Sequence, residues 1–330
     1  GSIVNMALSP VTFALGGSAG GTFAPGISFN IRFLKLGSGT WTLTGNTTPT
    51  GGTTVHNGTL ILSGGGSITH SSANLTVGLN SGDNATFTLS NGTVTAASVL
   101  AASSSNSTGH IDLNGGILST GQLSGGSGTG TVTFNGGTLQ LSGNRTNLFS
   151  GFEVGDVVLT NSGGTIDTQG FNVATALGLT GNGSLTKTGT GTLTLSGTNT
   201  YTGGTVINSG ALGYTTDAAL GASGSRNVTF NGIGSLTWGF DGSSLGTLTV
   251  NQGAVATLSS LNTITFATTT GGGTVVASGG QNKIVSLGNA STFTGDVVLA
   301  YNANNNSGTN NPHLRFTSLN DAAGSALQIY

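Results

Sequence analysis

Short alternation dominates this chain. Thr192-Leu193-Thr194-Leu195-Ser196, Thr131-Val132-Thr133-Phe134 and Thr247-Leu248-Thr249-Val250 each set small polar residues between apolar ones. A period of two sends one row of side chains inward and the other to solvent, so each run predicts a half-buried strand. Thr and Val also suit a pleated surface. The runs end in Asn-Gly, Ser-Gly or Gly-Gly, which supply the positive φ angles of tight corners. Helical periodicity is absent over any useful length, and Ala218 to Leu220 amounts to a turn at most.

The alternating runs belong to larger repeats. Lys35 to Leu60 and Lys187 to Leu212 are gap-free copies at an offset of 152 residues. Gly37 to Gly45 matches Gly189 to Gly197, Thr50-Gly51-Gly52-Thr53 recurs as Thr202-Gly203-Gly204-Thr205, and Val55 falls on Ile207. A shorter unit runs through residues 77 to 140, where the turn residues Asn91, Asn114 and Asn135 are 23 and then 21 residues apart. Further units lie around Ser162-Gly163-Gly164-Thr165-Ile166, Asn231-Gly232 and Asn251-Gln252-Gly253. Repetition of this kind means that apolar groups are buried by stacking similar units.

A strand–corner–strand unit of this size admits an antiparallel meander closing into a sandwich or barrel. It also admits one coil of a parallel β-helix, in which equivalent residues stack. The Asn-Gly-Gly-Thr units repeat in phase with one apolar pattern, and the long copies contain no gap, which suggests a constant perimeter. Both favour the second architecture. The predicted fold class is all-β, a right-handed single-stranded parallel β-helix (β-solenoid), with residues 1–330 forming one continuous solenoid of roughly a dozen coils. With about 25 residues per coil and a rise of ~4.8 Å, the rod would be about 60 Å long.

Composition narrows the class. Glycine occurs 61 times, where average usage predicts about two dozen. Charged residues make up 5% of the chain, against about 25% in a typical soluble protein. Glycine has no three-residue period and there are 4 prolines, which excludes collagen. The recurrent Val, Ile, Leu, Phe and Thr argue against disorder. Cysteine is absent, removing disulfides, thiolate zinc sites and thiol catalysis together. The net charge is −2 and the 7 Lys and Arg are scattered singly from Arg32 to Arg315, so nucleic acid is not an expected partner. No apolar run approaches the ~20 residues of a membrane helix, and membrane insertion of this segment is not expected. No basic-then-apolar leader is read at the start, which suggests a mature form or a fragment.

The stretch Leu185-Thr186-Lys187-Thr188-Gly189-Thr190-Gly191-Thr192-Leu193-Thr194-Leu195-Ser196-Gly197, continued by Thr198-Asn199-Thr200-Tyr201-Thr202-Gly203-Gly204-Thr205-Val206-Ile207-Asn208-Ser209-Gly210, resembles the passenger-associated repeat of bacterial autotransporters. The copy at 35–60 departs from it, with Pro49 in place of the tyrosine, and Thr292-Phe293-Thr294-Gly295-Asp296-Val297-Val298 is a reduced echo. The resemblance implies an extracellular right-handed β-helix, a stalk or adhesive segment exported across the outer membrane. No C-terminal set of lipid-facing barrel strands is read. The family fixes no ligand and contributes no catalytic residues.

Enzymes also use this fold, so the acids and histidines need testing. Glycoside hydrolysis needs two carboxyl groups across a cleft, and a lyase needs clustered acids for calcium with a base beside them. The 9 acids are Asp83, Asp112, Glu153, Asp156, Asp167, Asp217, Asp241, Asp296 and Asp321. Their sole close pair, Glu153 and Asp156, reads as two solvated corner charges. Asp112 has no acid at a matching repeat position. His56, His70, His110 and His313 share no ligand spacing, and His56, at the position of Asn208 in the second copy, reads as an exposed corner residue. No Gly-x-Ser-x-Gly elbow has a supporting His and acid. The Asn-x-Ser/Thr triplets follow from the turn-then-strand grammar. Trp41, Trp238, Tyr201, Tyr214 and Tyr301 would make sugar platforms if exposed, but Trp41 aligns with Leu193 and is expected in the core. No catalytic, cofactor-binding or metal residue is assigned, and no cofactor is expected.

The sequence therefore predicts a non-enzymatic extracellular structural or adhesive solenoid at a bacterial surface, with a carbohydrate-binding or carbohydrate-cleaving β-helix as the alternative. Ile3-Val4-Asn5-Met6-Ala7-Leu8 and Gln328-Ile329-Tyr330 both read as strand, leaving excision from a longer solenoid or end-to-end self-association, which yields filaments. A host-cell or matrix glycan or protein is the other partner left open.

Overall fold

The computed structural model describes residues 2–4, 10–259, 262–278, 284–300, 313–315 and 327–329. The chain divides into two compact units, Gly1–Asp167 and Thr168–Tyr330. In both, every recorded strand pair is parallel, joining segments about one coil apart in sequence, as in Asn84–Leu89 on Asn57–Leu62 and Gly210–Tyr214 on Thr192–Leu195. The meander is thereby excluded, and the chain is a parallel β-solenoid. Its one helical element among the described residues is a 3-10 turn, Asp217–Leu220.

The first unit has three strand stacks. One begins Val11–Leu15, Ile31–Lys35, Thr53–Val55 and Leu75–Val77. The next begins Gly21–Phe23, Thr40–Leu43, Asn57–Leu62 and Asn84–Leu89. The third begins Asn46–Thr47, Ser67–Thr69 and Thr93–Ala96. The second unit has two main stacks. Leu185–Thr188 leads one through Thr205–Ile207, Val228–Phe230 and Ser243–Val250. Val173–Thr175 leads the other through Thr192–Leu195, Gly210–Tyr214, Ile233–Trp238 and Val255–Ser259.

Alternation makes the core. In the first unit Leu43, Leu62, Leu89, Leu113, Phe134 and Leu159 form one in-register inward column, and all are buried. In the second unit Leu193, Leu212, Leu236, Leu258 and Ala277 do the same. Fully burying each large apolar side chain contributes about 1.5–3 kcal/mol, so the columns carry most of the favourable free energy.

The constant perimeter does not hold. Asn57 and its stacked partner Asn84 are 27 residues apart, whereas His110 and Thr131 are 21 apart. Corners absorb the difference, because the ladder fixes the strands while loops at the surface accept insertions. Correspondingly, Asn135 donates to Asn114 at 3.4 Å, but Ser90 lies beneath Asn114 and Asn91 falls one place further on. Of the expected terminal strands, Ser2–Val4 pairs with Gly26–Ser28 and Leu327–Ile329 with the strand Asp296–Ala300, while Asn5 to Leu8 and Tyr330 lie outside the described residues.

Candidate functional site: two sealed lysine corners

The two long repeats carry a charged group that alternation places indoors. In Ile31–Lys35 the inward positions are Ile31, Phe33 and Lys35, and in Leu185–Thr188 they are Leu185 and Lys187. Both lysines have no exposed surface. Lys35 Nζ donates to Leu36 O at 3.0 Å, Gly37 O at 2.7 Å and Asn57 O at 2.6 Å. Lys187 Nζ donates to Thr188 O at 2.9 Å, Gly189 O at 2.8 Å and Ser209 O at 3.1 Å. Each acceptor maps onto its counterpart through the 152-residue offset.

Three acceptors use all three N–H groups of an ammonium, so a charge that burial alone would expel is satisfied by main-chain dipoles. Burial lowers the Lys35 pKa from its ordinary value. Two acceptors belong to the lysine's own corner and the third to the corner one coil on, so one side chain binds successive coils together. Glycine makes that approach possible. At Gly58 and Gly210, with φ 68° and 72°, a Cβ would collide with Gly39 O and Gly189 O respectively.

A second shared element is the threonine at 53 and 205. Tyr201 is fully buried and its hydroxyl lies 2.6 Å from Thr205 Oγ1. Pro49 replaces that tyrosine in the first repeat, and His70 bonds the equivalent threonine instead, with Nε2 3.0 Å from Thr53 Oγ1. His70 corresponds to Ala222, whose N–H donates to Tyr201 O, placing this position directly over the tyrosine. The imidazole is buried, Nδ1 has no hydrogen-bond partner, and burial lowers its pKa to about 4.

The chemistry-bearing residues singled out from sequence are dispersed. Glu153 and Asp156 share a corner in which Asp156 Oδ2 accepts the Glu153 N–H at 2.7 Å, a turn-closing contact. Asp112 stacks between Thr88 and Thr133 on the outer face. His56 corrects its expectation: it is half-buried, with Nδ1 2.8 Å from Asp83 Oδ2 one coil on. Asp83 also accepts the Asn80 N–H at 2.8 Å. His110 Nδ1 lies 2.6 Å from Thr131 Oγ1. No three His, Asp or Glu side chains converge as metal ligands among the described residues.

Among the described residues, the aromatic side chains singled out from sequence do not make a platform. Tyr201, Tyr214 and Trp238 are buried, with Tyr214 packed against Trp238 and edge-on to Phe240. Trp41 takes the inward row level with Leu60, as expected, yet it is half-buried because Gly21 stacks on it. Tyr301, Asp321 and the His313 side chain lie outside the described residues. At the surface, amide ladders replace charge: Asn251 donates to Asn231 at 2.5 Å and Asn231 to Asn208 at 3.1 Å.

Sequence reasoning missed the lysine corners by counting Lys35 and Lys187 only among the Lys and Arg scattered singly along the chain. The signal was present, since both occupy inward phases and both open the repeat. The His70–Thr53 contact had no such signal, because it joins one repeat to a corner beyond it.

No curated protein and no solved structure matches the chain. The family profile described as the passenger-associated-transport-repeat matches residues 33–62 and 185–212. These are the two segments built around the sealed lysines, and the chain thus carries two repeats of the kind found in autotransporter passengers.

Proposed function

We propose that the chain is part of an autotransporter-type passenger that acts outside the cell as a non-enzymatic structural and adhesive solenoid. The observation that carries this reading is the passenger-associated-transport repeat occurring twice, each time around the same sealed lysine corner. Two physical properties support the mechanical role. Parallel ladders tie each coil to the next over its whole length, which resists local opening. The exterior is made of hydroxyl and amide groups with 5% charged residues in the chain, a surface with little long-range repulsion between like molecules. End-to-end association of copies belongs to the same proposal, since a parallel ladder templates a further strand along its stacking direction.

Four measurements test it. Protease treatment of intact cells expressing the full-length precursor should release the segment, and protection inside the cell would oppose the extracellular role. A glycan and matrix-protein array should find binding without turnover. Cleavage of acidic polysaccharides, abolished by Glu153→Gln or Asp156→Asn, would replace this reading with the enzymatic one. Dispersed single particles at high concentration in electron micrographs would remove the filament element.

A further inference from the structure

The corner beyond the first repeat seals an imidazole against Thr53, where the second repeat seals a phenol against Thr205, and of the two only the imidazole takes up a proton in mild acid. His70 is 2% exposed, Nε2 is engaged with Thr53 Oγ1, and Nδ1 faces no acceptor. The corner that holds it joins Ser67–Thr69 to Leu75–Val77. Packed against that corner are Asn46–Thr47, Thr53–Val55, Thr93–Ala96 and Val99–Ala101. Apart from His70, residues 46–55, 67–77 and 93–101 include no Asp, Glu, Lys, Arg or His.

The charged groups on adjoining segments offer no rescue. Arg32, on the coil before, is exposed between the buried Ile31 and Phe33. Arg145 donates to Gly121 O further along the same corner. Both are cations and oppose a second positive charge. Lys35 is held at the far end of its strand by Asn57 O, and Asp83, the one carboxylate in this region, is engaged by His56 there.

We propose that His70 is an acid-operated latch on the coil spanning residues 46–77: neutral, it closes the corner through Thr53, and protonated, it opens the coil. A proton turns both ring nitrogens into donors, leaving a buried charge with one N–H unsatisfied, and the cheapest relief is exposure to water. Opening would bare the edges of Thr53–Val55 and Leu75–Val77, which are templates for strand pairing and sites for proteolysis. The repeat around Tyr201 has no such group and stays closed.

The sign follows from the direction of the shift. Burial lowers His70 to about 4 from 6.5, so the open form binds the proton first and closure weakens as pH falls through that interval. It is unaffected above 6.5 and levels off below about 4. Between pH 7.0 and pH 4.5 the opening equilibrium should rise roughly 60-fold.

Hydrogen exchange read by mass spectrometry on the whole chain at pH 7.0 and 4.5, corrected for intrinsic rates, tests this. Peptides within 46–77 should lose protection by that factor, while those within 185–212 keep theirs. His70→Gln retains a donor for Thr53 without titrating and should abolish the acid response. The double variant Pro49→Tyr, His70→Ala transplants the second repeat's arrangement and should do the same. An unchanged acid response in either variant, or no loss of protection in the parent chain, overturns the latch. So does an NMR titration placing His70 of the folded parent near 6.5, a measurement that requires no variant to fold.

Discussion

Tyr201 and Thr205 share a 2.6 Å hydrogen bond between hydroxyl groups that are both sealed from solvent. Removing one partner strands the other. Tyr201→Phe should therefore lower stability by about 1–2 kcal/mol, read as a shift of the urea midpoint at constant slope. A loss below a few tenths would mean that Thr205 finds another partner.

The same burial predicts alkaline sensitivity. Burial pushes the pKa of Tyr201 and Tyr214 well above the ordinary 10, and hydrogen bonds with Thr205 and Ser243 respectively offset this in part. Above pH 10 the unfolded chain releases these protons and the folded chain retains them, so stability is full below 10 and declines as pH rises beyond it. Denaturation midpoints at pH 8 and 10.5 should show the decline. Absorbance at 295 nm should show both phenols ionising only on unfolding.

The lysine corners should tolerate no substitute. Lys35→Met and Lys187→Met each remove three hydrogen bonds to corner carbonyls, but Thr188 O keeps the Thr168 N–H at 3.0 Å and Gly189 O the Ser209 hydroxyl at 3.3 Å, so the expected losses are about 3 kcal/mol at Lys35 and about 2 kcal/mol at Lys187. Arginine should not rescue either site, because a planar guanidinium cannot point its donors at three carbonyls arranged for a tetrahedral ammonium. Both amines should also resist acetylation in the folded chain. Labelling at a rate set by exposed lysine would contradict the sealed geometry.

Corner glycines divide by what lies above them. Gly58→Ala should cost roughly 3 kcal/mol, from a strained positive φ and a Cβ driven into the preceding corner. Gly155, also at positive φ (103°), has open space for at least 4 Å around the point a Cβ would occupy, so Gly155→Ala should cost about 1 kcal/mol. Thermal melts of the two variants should separate clearly, and equal shifts would refute the stacking account.

At the acidic corner, Asp156→Ala should cost about 1 kcal/mol by freeing the Glu153 N–H. Millimolar calcium should leave the melting temperature of the parent chain unchanged. A calcium-dependent rise lost in this variant would identify a metal site where the hydrogen bond indicates a turn.

Much of the architecture is legible in the chain. Alternating Thr and Leu specify which side of each strand is buried, because a period of two permits no other sorting, and in-phase repetition specifies stacking. The 152-residue offset between Lys35 and Lys187 even contains the lysine corners, once their inward phase is taken literally. What the tertiary structure decided is which residues meet across coils. The coil length varies between 21 and 27 residues at the positions compared, so sequence distance alone does not reveal that His56 lies on Asp83 or that His70 reaches Thr53. Those contacts depend on how each corner absorbs its extra residues. Corner conformation is set by packing against the coil above and below, not by the local pattern of polar and apolar positions.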